Sequence, residues 1–223
     1  MDFFWRSSSC HVQTQNQHNL IRSEATDNDE FVAGPSGAAY AFTNDFVASA
    51  DPNPDDPDVD AGAADAVAKE TAYLMNIAGQ RIVNVFGDEG YPETADGAWL
   101  EPLLHEDGID GIFLYEYNGY SELEGAIDFV AGKPVIGGRF NLWTPGFYDV
   151  DSLVAALTAL PNLTDTTSSS GYSLIPVHAW SHNVSDVLSV ALQLEQDGRF
   201  DVVLPGEFLG RIASNVVHDQ SFK

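Results

Sequence analysis

Cysteine is almost absent from the sequence. Cys10 is the only one among 223 residues, so the chain can form no internal disulfide and no cysteine-based metal site. Long apolar runs are missing too, since none approaches the roughly 18 residues that a membrane-spanning helix needs. The first residues carry an apolar patch only at positions 3–5 and lack the apolar core of a signal peptide. We therefore expect no membrane span, and the missing export signal leaves the cellular location open.

Basic residues are scarce as well. Nine lysines and arginines stand against 34 acidic residues, which gives a formal net charge of −25. No basic cluster is available to neutralise phosphates, and this argues against a nucleic-acid partner. Dispersed acidic residues with few lysines keep a protein hydrated in concentrated salt, where self-repulsion is screened. We interpret the composition as halophilic adaptation, and the alternative is an ordinary acidic protein.

The apolar residues, 44% of the chain, fit one large globular domain with a substantial core. Short apolar runs alternate with stretches of helical spacing, an order typical of parallel strands covered by helices. The predicted strands span residues 31–34, 81–86, 109–115, 126–130, 134–140, 173–177 and 201–204, with a hairpin turn at residues 131–133. The predicted helices span residues 61–78, 94–105, 152–160 and 184–196, and a last helix begins at Pro205.

Helical spacing also predicts which face of a helix packs inward. In the first helix, which Gly79 ends, the inward face is expected at Val67, Thr71, Leu74 and Ala78. In helix 184–196, which Asn183 caps, the inward face is expected at Val184, Val187, Leu188, Ala191 and Leu192.

The number of strand–helix units limits the fold. Five such units and a hairpin strand fall short of the eight pairs of a closed (β/α) barrel. We therefore predict an α/β fold, an incomplete TIM-barrel-like domain with mainly parallel strands and helices outside. The domain is expected over residues 20–217, after an irregular segment at residues 1–19 and before a tail at residues 218–223.

The stretch at residues 31–42 is the one around which we expect the domain to be arranged. A short apolar strand runs into Gly34-Pro35-Ser36-Gly37 and then reaches Tyr40. Ligands bind at the carboxyl edge of parallel sheets, and small residues let them come close. The hydroxyl of Ser36 and the phenol of Tyr40 are therefore predicted to contact a ligand.

The same stretch resembles the motif of the GxGYxYP family, whose members are described as glycoside hydrolases. Here the motif reads Gly37-Ala38-Ala39-Tyr40-Ala41-Phe42-Thr43, so Ala39, Phe42 and Thr43 stand in place of its second Gly, its second Tyr and its Pro. The resemblance continues through residues 110–113, 132–135, 139–143 and 177–181. It implies a carbohydrate-active hydrolase that acts on a carbohydrate or glycoconjugate outside the cytoplasm. It also implies that this chain lacks the opening strands of the family's domain, as a truncated or mis-started product would.

Acids, an imidazole and several aromatic residues follow the predicted strands, as expected of a carbohydrate site. Glycoside hydrolysis needs two carboxylates across the scissile bond, and we predict Glu116 with Asp88. His178 is a further predicted catalytic group. Burial at a strand end would raise the pKa of Glu116, as a general acid requires. The predicted substrate-binding residues are Ser36, Tyr40, Tyr117, Arg139, Asn141, Trp143 and Trp180.

Each of these residues has a structural alternative. Asp88 could belong to a simple turn, Glu116 could pair with Arg139, and His178 could be a hydrogen-bonded core group. Trp143 and Trp180 could likewise be core residues. His178 and His182 have the spacing of a metal pair on a helix, but the first ends a strand, so we predict no metal site and no cofactor.

Two other functions stay open. One is a non-catalytic glycan-binding module or an inactive fragment, which the missing opening strands favour. The other is an enzyme similar to polysaccharide deacetylases, which the strand ending in Val177 and His178 and the final unit at residues 201–208 favour. The early metal-binding acidic segment of the deacetylases is absent from this sequence. The oligomeric state is not predicted.

Overall fold

The computed structural model describes residues 20, 22–27, 29–34, 37, 63–87, 100–116 and 124–216. The chain divides into two units, Met1–Glu30 and Phe31–Lys223. In the first unit Asp29 accepts hydrogen bonds from the N–H and the hydroxyl of Thr26, at 2.9 and 2.8 Å, and these bonds lower the pKa of Asp29. The predicted segment 1–19 and the predicted tail 218–223 lie outside the described residues.

The helices and strands below belong to the second unit. In chain order they are α1 (Ala63–Ala78), β1 (Ile82–Gly87), α2 (Leu100–His105), β2 (Gly111–Glu116), β3 (Ile127–Val130), β4 (Lys133–Gly137), α3 (Val150–Thr158), α4 (Val184–Asp197) and α5 (Pro205–Asn215). A 3₁₀ turn at Ser169–Gly171 lies between α3 and α4. Most predicted elements are thus present with shifted ends. Three predicted strands are exceptions. Residues 31–34 and 173–177 form only isolated bridges, and residues 201–204 pair with no neighbouring strand in the described part of the chain.

The sheet has the strand order β1-β2-β4-β3. β1 pairs with β2 and β2 with β4 in parallel, whereas β3 and β4 form an antiparallel hairpin. The hairpin turn consists of Ala131 and Gly132, both with positive φ, at 51° and 76°, which is the backbone that a two-residue hairpin turn requires. The predicted α/β class, the mainly parallel sheet and the hairpin are therefore confirmed.

Single parallel bridges extend the sheet at both edges. Ala33 pairs with Val83 beside β1, and the chain beyond β4 pairs with residues 172–178, through Gly138 with Leu174 and Leu142 with Val177. We call residues 172–178 the edge segment. The parallel segments therefore lie side by side in the order in which they occur in the chain: Ala33, β1, β2, β4 and the edge segment. Because they are parallel, their carboxyl ends meet at one edge of the sheet. Within the described residues the sheet is open.

Helices α1 and α2 cover one face of this sheet. Val83, Val85, Ile112 and Leu114 of the strands pack there against residues of both helices. The buried residues of α1 are Ala68, Thr71, Ala72 and Met75, whereas Leu74, which the sequence places inward, is exposed. The bounds of α1 and its end at Gly79, which has a φ of 64°, are as predicted, but the packed face is rotated.

Helix α5 covers the opposite face. Its Leu209 and Ile212 join Ile82, Phe113 and Ile136 in a second core cluster. The approach is close, because a Cβ at Gly111 would lie 2.8 Å from the carbonyl oxygen of Pro134 and 3.0 Å from the Leu209 side chain. This arrangement differs from the expected one, in which all helices lie outside a barrel.

Helices α3 and α4 form a third cluster with the end of the sheet. Leu142 packs there with Leu153, Leu157, Val190 and Leu194. Both helices begin with a capping box, Asp149 with Ser152 in α3 and Asn183 with Asp186 in α4, so the predicted cap Asn183 is confirmed.

The predicted inward face of α4 is wrong. Val184, Val187, Leu188 and Leu192 are exposed, with Val184 at 84%, and the buried side chains are Val190 and Leu194. Apolar residues occupy more than one stripe of this helix, and helical spacing alone does not determine which stripe contacts α3 and Leu142. Among the described helices, none is both long and apolar enough to cross a membrane.

Candidate functional site

The carboxyl edge of the sheet is where the sequence places the site. Glu116 is the last residue of β2 and is in register with Gly87, the last residue of β1. The chain following β4 continues along the edge segment, since the N–H of Arg139 donates to the carbonyl of Leu174 at 2.9 Å. Four predicted site residues lie outside the described ranges: Ser36, Tyr40, Asp88 and Tyr117.

Gly37, the first glycine of the family motif, is described and has a structural reason to be glycine. Its φ is 80°, a conformation that side chains disfavour. A Cβ on Gly37 would lie 2.5 Å from Cγ2 of Thr71 in α1. The motif residue is therefore fixed by close contact with a helix as well as by its backbone conformation.

An aromatic cluster follows the two paired segments at the edge of the sheet. Leu142 and Val177 form a parallel bridge, so the residues that come directly after them, Trp143 and His178, are brought side by side. Their rings stack with centroids 4.2 Å apart and planes 11° apart. We define the aromatic cluster as these two residues with Phe147, 5.4 Å from Trp143, and Trp180, 5.4 Å from His178.

The four residues of the aromatic cluster differ in their exposure to solvent. Trp180 is 91% exposed and Phe147 is partly exposed, whereas Trp143 and His178 are half-buried. An indole exposed to this extent contributes little to a core. Its apolar ring with a polar N–H is suited to a ligand that has both C–H surfaces and hydroxyls.

A polar network lies beside the aromatic cluster, and we define it as Thr144, Ser181, His182 and Asp186. The His182 side chain is only 6% exposed. Its Nε2 lies 3.1 Å from the hydroxyl of Thr144, and its Nδ1 lies 3.3 Å from Oδ2 of Asp186. Both ring nitrogens of His182 are therefore engaged, which leaves neither for a metal ion.

Ser181 links the polar network to the aromatic cluster. Its hydroxyl oxygen accepts a hydrogen bond from the N–H of Thr144 at 3.3 Å and lies 2.8 Å from Nδ1 of His178. One ring nitrogen of His178 is thus fixed. Among the described residues, Nε2 of His178 has no hydrogen-bond partner, so it can serve a ligand.

Arg139 is held by backbone carbonyls. Its Nε donates to Tyr172 at 3.2 Å, and its Nη2 donates to Ser169 at 2.8 Å and to Gly125 at 3.5 Å. Burial lowers the pKa of Arg139, and the charge of Glu124 opposes this shift. The guanidinium joins three parts of the chain, and we assign it to the scaffold in preference to substrate contact.

Asn141 is buried and incompletely bonded. The residue is only 2% exposed. Among the buried side-chain atoms of the described residues, Nδ2 of Asn141 and Oδ1 of Asn84 have no hydrogen-bond partner. A buried polar group without a hydrogen-bond partner lowers the stability of the fold by about 1–3 kcal/mol, so each case calls for an explanation. Because Nδ2 of Asn141 is buried, a ligand on the surface does not reach it in this arrangement, and the predicted binding role of Asn141 stays a prediction.

Two other features limit the chemistry. Within the described residues, no three His, Cys, Asp or Glu side chains are grouped as a metal site would require. A cavity of about 780 Å³ lies between β2, the edge segment and helices α3 to α5, with Phe113, Leu157, Leu194 and Phe208 among its lining residues. None of the predicted site residues that the structure describes is among the residues that line this cavity.

Sequence reasoning missed Phe147 and the whole polar network. For Asp186 a signal exists, because Asn183 with an acidic residue three positions later is a capping pattern. For Thr144 and His182 there is none, since their contact depends on the pairing of two loops 38 residues apart.

Comparison with known proteins agrees with the predicted family. A sequence model of the family described as "GxGYxYP putative glycoside hydrolase C-terminal domain" matches residues 18–213. No curated protein matches the chain significantly.

A solved structure has a similar fold. The crystal structure of a putative hydrolase from Bacteroides thetaiotaomicron VPI-5482 superimposes with a TM-score of 0.72 at 23% sequence identity. The similarity covers 88% of this chain and 35% of that chain, so the chain spans about a third of the length of the solved protein. Because the family model matches most of the sequence, the chain belongs to the GxGYxYP family.

Proposed function

We propose that the chain is a carbohydrate-active domain that takes part in glycoside hydrolysis. The observation that carries this proposal is the aromatic cluster at the carboxyl edge of the sheet, where Trp180 is 91% exposed beside the stacked pair of Trp143 and His178. The family described as glycoside hydrolases supports the same reading. Exposed indole rings bind the apolar faces of sugars, while His178 supplies a polar group nearby.

The proposed catalytic pair is Glu116 with Asp88. Glu116 is in register with Gly87, and Asp88 is the next residue in the sequence. Neighbouring strands lie about 4.8 Å apart, and the two carboxyl groups of glycosidases lie about 5–10 Å apart, so adjacent strand ends have the spacing that such a pair requires. One carboxyl group would protonate the glycosidic oxygen while the other attacks the sugar or activates water.

We also propose that the sheet is part of a (β/α) barrel. The parallel neighbours follow chain order, which is the order of a barrel and differs from that of a doubly wound sheet. Helix α5 lies against Gly111 and Ile82 at the amino ends of β2 and β1. In a barrel this helix would close the end opposite to the site.

The test of hydrolysis is the variant Glu116→Gln, compared with wild type in high KCl on a panel of neutral polysaccharides. We expect release of reducing ends to fall by at least about 100-fold, the contribution of a general acid, while sugar binding persists. Glu101→Gln, which removes a carboxylate from the exposed start of α2, is the matched control and should leave release unchanged.

Two other outcomes separate the alternatives. If wild type binds sugars through Trp180 and releases no product from any of them, the domain is a binding module and not a hydrolase. If Glu116→Gln retains full turnover, Glu116 is not the acid and the proposed pair is wrong.

A further inference from the structure

We infer that the aromatic cluster accepts glycans that are uncharged or carry amines and rejects glycans that carry carboxylate, sulfate or phosphate groups. This inference rests on the proposed function, because it concerns the sugars that the cluster binds. It goes beyond that function in naming the charge class of the substrate. Three observations carry it.

The first observation is the composition of the stretches that follow the carboxyl ends of the parallel segments. None of these stretches contains a lysine or an arginine, although they make up a large part of the chain. They are residues 35–62, 88–99, 117–123, 143–149 and 178–183, where the fourth is counted from the last parallel bridge of its segment, at Leu142. All except the last contain acidic residues, among them Asp88, Glu89, Glu122 and Asp149.

The second observation is where the described basic side chains are. Each of the described basic residues from Arg81 onward already has a partner outside the aromatic cluster. The pairs are Arg81 with Asp110, Lys133 with the carbonyl of Glu106, Arg139 with three carbonyls, Arg199 with Asp197, and Arg211 with Asp201 and Glu207. Arg81 and Lys133 also lie at the amino ends of β1 and β4, opposite to the site.

The third observation is the charge next to the aromatic cluster. Asp186 belongs to the polar network through His182. The N–H of Tyr148 donates to the carbonyl of Asn141, and the carbonyl of Tyr148 accepts from the N–H of Trp143. Asp149 is the next residue in the chain. Hydrogen bonds from the hydroxyl and the N–H of Ser152 lower the pKa of Asp149, so it is ionised at neutral pH.

These observations have one physical consequence. An anionic sugar that approaches the cluster meets the carboxylates of Asp149 and Asp186 and, among the described basic residues from Arg81 onward, no cation without a partner, within a chain of net charge −25. Such a field acts over about 10 Å at 0.1 M salt and is screened at higher salt. A carboxylate on the ligand would also lose water without gaining the bidentate arginine contact that usually compensates for it. An uncharged sugar avoids both costs, and an amine gains attraction.

The experiment compares two matched pairs of oligosaccharides on the full chain. One pair is a galacturonic acid hexamer as free acid and as its methyl ester, and the other is an N-acetylglucosamine hexamer with its deacetylated, amine-bearing form. Dissociation constants are measured by calorimetry at 0.2 M and 2 M KCl, with circular dichroism confirming the same fold at both. At 0.2 M we expect the free acid to bind at least tenfold more weakly than its ester, and the amine form severalfold more tightly than the acetylated form. Both differences should shrink at 2 M.

A gain-of-binding variant tests the cause. Ala179 is exposed between His178 and Trp180, and Ala179→Lys places a cation beside the cluster. It should recover about tenfold in affinity for the free acid at 0.2 M and leave the ester unchanged, whereas the uncharged control Ala179→Gln should recover neither.

The outcomes distinguish this inference from the proposed function. If the free acid binds as tightly as its ester at 0.2 M, the charge selectivity is wrong while sugar binding stands. If none of the four oligosaccharides binds and Trp180→Ala changes nothing, the cluster is not a sugar site, and both the function and the inference are overturned.

Discussion

The aromatic cluster and the polar network beside it come from the same two loops but differ in what surrounds them. His178 and His182 show the contrast most clearly, since they lie four residues apart. His178 is half-buried on Trp143, and its Nε2 has no hydrogen-bond partner within the described residues. His182 is 6% exposed and has both ring nitrogens bonded. Under the proposed function, His178 belongs to the ligand-binding surface and His182 holds that surface in place.

This difference teaches how a recognition surface on loops can be ready before its ligand arrives. The polar network connects the loop after β4 with the loop after the edge segment, through Thr144, Ser181 and the start of α4. Side chains that are fixed in advance lose less conformational freedom on binding. The comparison predicts that substitutions in the network reduce stability and that substitutions in the cluster reduce binding.

The largest expected effect is that of His182→Ala. It removes a buried ring, leaves the Thr144 hydroxyl without its partner and leaves the Asp186 carboxylate with only its bond from the N–H of Asn183. We therefore expect the free energy of unfolding to fall by about 2–3 kcal/mol. Urea denaturation followed by circular dichroism measures the loss. His178→Ala is the matched control and should cost clearly less. Equal losses for the two variants would contradict the division between surface and support.

A smaller loss is expected for Arg139→Met, which keeps most of the side-chain length. Three carbonyls lose their charged donor, and we expect about 2 kcal/mol of destabilisation. Arg139→Lys should restore part of it, because an ammonium can still reach one or two of these carbonyls. If Arg139→Met instead leaves stability unchanged and abolishes sugar binding, Arg139 belongs to the binding surface, as the sequence first suggested.

The smallest effect is expected for Trp180→Ala. Because this indole is 91% exposed, its loss should change stability by no more than about 0.5 kcal/mol. Sugar affinity should fall by about 1 kcal/mol, or roughly fivefold, as the stacking contact is lost. Leu188→Ala, at an exposed apolar position on α4, serves as the control that alters exposed apolar surface away from the cluster.

Only part of this arrangement can be predicted from the sequence. The features that can be predicted depend on neighbours in the chain, and those that cannot depend on contacts between distant segments. The parallel sheet, the hairpin, the bounds of α1 and the cap Asn183 follow from local patterns, because caps, turns and strand runs depend on neighbours in the chain. The packed face of α4, the bonds of Arg139 and the contact between Thr144 and His182 depend on segments distant in sequence. Trp143 and His178 lie between these cases. Their position at one edge can be predicted, because the carboxyl ends of adjacent parallel strands meet there. The stacking of the two rings cannot, because it depends on the pairing of Leu142 with Val177. The catalytic roles of Glu116, Asp88 and His178 stay predictions.

The hairpin turn at Ala131 and Gly132 has a practical consequence for measuring this protein. It joins β3 to the amino end of β4, whereas the aromatic cluster follows the opposite end of that strand. Its two residues are exposed, and a Cβ on Gly132 would meet nothing within 4 Å. A biotin-acceptor peptide inserted at this turn would attach every molecule to a sensor chip in one orientation, with the proposed glycan-binding edge toward the flowing solution.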